Sequence, residues 1–146
     1  MTHASSILAL RVASAVLIGF GILNLLALAT PLAGVMDLFI DFAFLPVDDA
    51  QVASTEAAHL WIGISGGLMA GWGVMIWQVT GQVYAIDQSA GRSIILPGIL
   101  TWFVIDGLGS ALAGAPFNAV VNVVFLVLFV WPVLAVERDG PVVAGS

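Results

Sequence analysis

Cysteine and lysine are both absent from this chain, and each absence removes chemistry. Without thiols there is no disulfide, thiolate metal site, iron–sulfur cluster or covalent haem. Without lysine, a retinal or other Schiff-base chromophore has no attachment point. Charge is scarce as well: 8% of residues are charged, where soluble proteins carry about a quarter. The only cations are Arg11, Arg92 and Arg138, and the net charge is −6. Nucleic acid needs a basic patch, and three scattered arginines do not make one.

Apolar residues are what the chain has in abundance, at 61% of 146. Four stretches, roughly 7 to 29, 57 to 79, 93 to 113 and 115 to 136, are long enough to cross about 30 Å of hydrocarbon at about 1.5 Å per residue. Too little chain remains for a soluble domain. The expected fold is therefore all-α: one polytopic membrane domain of four transmembrane helices in an antiparallel up-down bundle. Ala27 and Ala29 in "LALAT" have the spacing of a signal-peptidase site. The apolar run after Arg11 is longer than a signal core of about 7–15 residues, so retention as a first membrane helix is the expectation.

Placing the arginines orients the bundle. Arg11 precedes most of helix 1, Arg92 falls between helices 2 and 3, and Arg138 follows helix 4. The positive-inside rule then makes both termini and the 80 to 92 connection cytoplasmic, in a cell inner membrane, with the 30 to 56 and 113 to 117 connections outside. Breaker clusters at 29 to 31, 89 to 92 and 113 to 116 fit these ends. An aromatic belt accounts for part of the tryptophan set, but Trp72 and Trp102 lie deeper than an interface. The first outer connection contains "GVMDLFIDFAFLP", whose pattern fits strand alternation or a helix with Asp37 and Asp41 on one face. An isolated strand cannot satisfy its backbone at a membrane, so a short interfacial helix is expected there. Its two carboxylates read as a solvated face in preference to a cation site.

Helix 2 carries the clearest pattern. Glu56, His59, Gly63, Gly66, Ala70, Gly73 and Trp77 recur at alternating spacings of three and four, as on the packed face of a left-handed bundle. Gly63, Gly67 and Gly71 form a second ridge beside it. In lipid, close backbone approach drives helix association, so both faces are candidate packing surfaces, as is Gly109 on helix 3. Matching seams run through Ser14, Leu17, Gly21, Asn24 and Leu28 on helix 1, and through Asn118, Asn122, Phe125 and Phe129 on helix 4.

Helix rise places Asp106 and Asn122 about 10–12 Å below the outer turn. Asn24, Glu56 and His59 fall in the same half of the membrane. These five polar groups are candidate ligand-binding or proton-relay residues. An ionised carboxylate at that depth costs about 2.5 kcal/mol or more unless paired, hydrated or protonated. His59 or the asparagine amides could supply the partner. The bland alternative is that such residues only fix helix register, at about 1 kcal/mol or less each. His59 alone cannot give both axial ligands of a haem within one chain, and no metal site or catalytic triad is evident.

A glycine-rich second helix ("GGLMAGWG"), a long first outer loop and a tight hairpin around "DGLGSALAGAPFN" resemble the broad group of small DoxX-like and related four-helix bacterial membrane proteins. That resemblance implies the four-helix architecture and makes partnership with a quinone-linked oxidoreductase thinkable. Three classes of function follow. A non-catalytic accessory subunit or assembly partner ranks first, with membrane lipid and either a protein partner or further copies of the chain around it. A small proton-linked transporter ranks second, and a lipid- or quinone-binding membrane enzyme third.

Overall fold

The computed structural model describes residues 1–29, 32–48 and 50–136. Among these residues the regular elements are helices, with no strand. They are α1 (His3–Ala29), α2 (Ala33–Phe44), α3 (Glu56–Val79), α4 (Gln88–Leu112) and α5 (Pro116–Leu134). Four of them, α1, α3 with its continuation to Tyr84, α4 and α5, are long and apolar enough to cross a membrane. The segment with two competing periodicities is the helix α2. Thr30, Pro31, Asp49 and Arg138 lie outside the described residues.

Capping chemistry moves two boundaries from their predicted places. The Asp87 carboxylate accepts the Ala90 amide at 2.9 Å, so α4 begins at Gln88, ahead of the predicted residue 93. A π-helical turn, Thr80–Tyr84, carries α3 beyond 79. The connection predicted over 80 to 92 therefore shrinks to residues 85–87. Thr55 caps α3 in the same way, accepting from the Ala58 amide at 3.1 Å. Between α4 and α5 the chain passes through Gly114 at φ 81°, a conformation glycine adopts without a Cβ penalty, and Pro116 opens α5.

The tightest packing is between α1 and α3, where the two predicted small-residue seams meet. A Cβ on Gly66 would stand 2.7 Å from the Gly21 carbonyl oxygen, and one on Gly73 3.0 Å from that of Ser14. A Cβ on Gly21 would in turn run into Gly66 and lie 2.6 Å from the Ala70 nitrogen. The helices thus interlock backbone to backbone, the arrangement through which dispersion stabilises helix pairs in lipid. Leu10, Leu17, Ile76, Ile99, Phe129 and Val133 extend this contact into a core shared by α1, α3, α4 and α5.

Polar ties join one end of the molecule. Ser6 Oγ donates to the Pro132 carbonyl at 2.7 Å, which leaves the fully buried Tyr84 hydroxyl to donate to Ser6 Oγ at 2.8 Å. The Arg92 guanidinium donates to the Val133 carbonyl, and Arg11 lies over the Trp77 ring at 5.5 Å. Gly91 admits Tyr84 against the first turn of α4. Apart from this end, α3 and α4 scarcely touch. α1 and α5 lie between them, and α4 is held chiefly by α5.

Candidate ligand cleft

The space left between α3 and α4 is a cleft of about 1020 Å³. This lies at the upper end of the range for small-molecule sites, about 300–1,000 Å³. Leu17, Phe20 and Asn24 of α1 and Phe125 of α5 form its floor, and Met36, Phe39 and Phe42 of α2 close one side. Across the gap Trp72 of α3 meets Trp102 of α4 with ring centroids 5.7 Å apart. Trp102 also packs edge-on to Phe125, which in turn stacks edge-on with Phe20. The deep tryptophans that a membrane-interface belt did not explain are cleft walls.

Gly67 and Gly71 also line this space. Neither has any neighbour within 4 Å of where a Cβ would stand. Of the helix-packing candidates, Gly66, Ala70 and Gly73 sit in the α1–α3 interlock, and a Cβ on Gly63 would make ordinary contact with Leu28 at 3.5 Å. Gly67 and Gly71 instead leave a bare strip of backbone facing the cleft. A Cβ on Gly109, too, would have nothing within 4 Å in this chain. Periodicity identified the ridges, but it carries no information on which of two adjacent ridges a neighbour covers.

One end of the cleft is polar. Asp106 Oδ2 accepts from Asn118 Nδ2 at 3.2 Å and also from Asn122 Nδ2. Asn118 spends its second N–H on Ser110 Oγ at 2.9 Å. Asp106, Asn118 and Asn122 all line the cleft. The amides thus turn their donors toward the carboxylate. Among the described residues, no donor reaches Asn118 Oδ1 or Asn122 Oδ1. At this end the acceptors are the carboxylate and the two amide oxygens, and three of the four amide N–H groups are already committed. Asn118 and Ser110 were not among the sequence candidates. The signal was the four-residue spacing of Asn118 and Asn122, which puts both amides on one face of α5.

The five predicted polar residues divide. Asp106 and Asn122 bond directly, and Asn24 lines the same cleft while donating to Met69 Sδ at 3.9 Å. His59 and Glu56 do not join them, and both are exposed at the start of α3. His59 Nε2 donates instead to the Ala53 carbonyl at 2.7 Å, tying α3 to the connection from α2. The acids of α2 serve that connection too, which corrects their reading as a solvated face. Asp41 is 1% exposed and accepts the amides of Asp48 and Gln51 at 3.0 and 3.2 Å. Asp37 accepts the Ala53 amide at 2.8 Å. These carboxylates replace the ladder partners that an irregular backbone lacks. Among the described residues no group of three or more His, Asp or Glu side chains is placed to hold a metal ion.

No family model matches the chain, and no curated protein or solved structure is similar to it.

Proposed function

We propose that this chain is an integral inner-membrane protein that binds an amphipathic molecule taken laterally from the bilayer, without transforming it. Its four long helices cross the membrane in alternating directions, both termini face the cytoplasm, and the polar end of the cleft lies toward the outer side. Arg11 and Arg92 at the end remote from Asp106 support that orientation through the positive-inside rule. The observation that carries the reading is one polar constellation, Asp106, Asn118 and Asn122, at one end of a mainly apolar and aromatic space whose other polar lining is Asn24, Ser65 and Thr101. Apolar walls with a few convergent polar groups are the general form of a small-molecule site.

A second reading draws on the bare Gly67–Gly71 strip, which would also accept a helix of another membrane protein. In that case the chain is an accessory subunit or assembly partner. The cleft reading is preferred because a helix lying there would bury the acceptors of Asp106, Asn118 and Asn122 and would have to supply donors to match them.

The test is extraction in mild detergent followed by native mass spectrometry, for the wild type and for Gly67→Leu/Gly71→Leu. A Cβ at either position has nothing within 4 Å, so leucine side chains there enter the cleft. A small molecule retained by the wild type and lost by the folded double variant is the expected result. A stoichiometric protein released by the same change would support the subunit reading instead. Identical composition in both would remove the cleft as a binding site.

A further inference from the structure

We infer that the head group bound in this cleft is a lipophilic ammonium, not a phosphate, a carboxylate or a carbonyl. The inference rests on the cleft reading and adds to it the sign and hydrogen-bonding sense of the ligand. Its basis is the balance of charge and of donors. The residues lining the cleft include one carboxylate, Asp106, and no arginine or histidine. Each described cation and histidine is engaged elsewhere: Arg11 on Trp77, Arg92 on Val133, His3 beside Tyr84, and His59 on Ala53. An anionic head would meet a carboxylate with nothing to offset the repulsion in a poorly screened space. At the Asp106 end a quinone, whose carbonyls only accept, would find three of the four N–H groups of Asn118 and Asn122 already committed to Asp106 and Ser110.

A primary ammonium complements both features. Its three N–H groups match the Asp106 carboxylate and the amide oxygens of Asn118 and Asn122. Its charge supplies the partner that a membrane carboxylate otherwise lacks. Trp102 stands four residues before Asp106, one helical turn away on the same face of α4, and Trp72 meets it across the gap. Indole faces attract cations, and that attraction grows when water is excluded. The tail would lie along the Gly67–Gly71 strip between the aromatic walls.

The experiment compares three probes that share a dodecyl chain and differ only at the head: dodecylammonium, dodecanol and dodecanoate. Each is titrated calorimetrically into the full chain in nonionic maltoside micelles. Dodecylammonium should bind about tenfold more tightly than dodecanol, with dodecanoate the weakest, because charge-assisted hydrogen bonds are roughly twice as strong as neutral ones. Asp106→Asn should bring ammonium and alcohol to within about threefold of one another. Equal binding of the three heads, or an ammonium preference that survives Asp106→Asn, overturns the inference but leaves the cleft reading intact. Binding that Gly67→Leu/Gly71→Leu does not weaken, or no binding of any probe, overturns both. The ranking of heads on the wild type decides the matter even if Asp106→Asn does not fold.

Discussion

Adjacent glycines on α3 should respond in opposite ways to the same substitution. In Gly66→Ala the added methyl would stand 2.7 Å from the Gly21 carbonyl oxygen and 2.8 Å from Asn24 Cβ, both on α1. Non-bonded carbons rest at about 3.5–4.0 Å. Relieving the overlap therefore means moving α1 and α3 apart by several tenths of an ångström or more, along an interface where Gly21 and Gly73 are also tight. Overpacking of this kind costs about 1–3 kcal/mol. In Gly67→Ala the methyl enters the cleft and meets nothing within 4 Å. Both variants gain the same helix propensity, up to about 1 kcal/mol, so the difference between them isolates the interlock. At roughly 2–4 °C per kcal/mol for a chain of this size, Gly66→Ala should melt about 2–12 °C below Gly67→Ala. Far-UV circular dichroism during heating in nonionic micelles measures both midpoints. Equal midpoints, or the reverse order, would refute backbone contact between α1 and α3 at this level.

Two further substitutions test other parts of the fold. Asp106→Leu leaves the Asn118 and Asn122 amides without their shared acceptor, at a cost of about 1–3 kcal/mol, whereas Asp106→Asn keeps an acceptor oxygen. The leucine variant should melt below the asparagine variant, and equal melting would mean the cluster does not hold α4 to α5. Asp41→Ala removes the acceptor for the Asp48 and Gln51 amides. Hydrogen exchange at those two amides should accelerate about tenfold or more with the long helices unaffected. Unchanged exchange would show that the connection is held by other contacts.

The sequence made the long helices legible because apolar length is a one-dimensional property, and α2 followed from the backbone's need for internal hydrogen bonds. The seams of α1 and α3 were legible for a related reason: small residues at helical spacing are informative where lipid supplies no hydrophobic drive. The hydrogen bonds of His59, Asp37 and Asp41 were not. Their partners are amides and carbonyls of irregular backbone, which every residue carries and no side-chain pattern reveals. Glu56 and His59 continue the glycine seam in register, yet they lie where α3 emerges at its capped end, so shared periodicity did not mean a shared site. The cleft itself depends on which helices are not neighbours. Helix order around a bundle is set by tertiary packing, which the short connections of this chain leave open.

The contrast between the two sides of α3 has a mechanical consequence. On one side its backbone is keyed to α1 and tolerates almost no displacement. On the other, its link to α4 is concentrated around Tyr84 and Gly91, beyond the cleft. Anything that widened the gap would therefore work first against the Trp72–Trp102 and Phe20–Phe125 ring contacts, and only then against the α1–α3 interlock. Space beside Gly67 and Gly71 is unfilled, whereas the Asp106 carboxylate is already fixed by two amides, so the two ends of the cleft differ in how much of their geometry is set in advance.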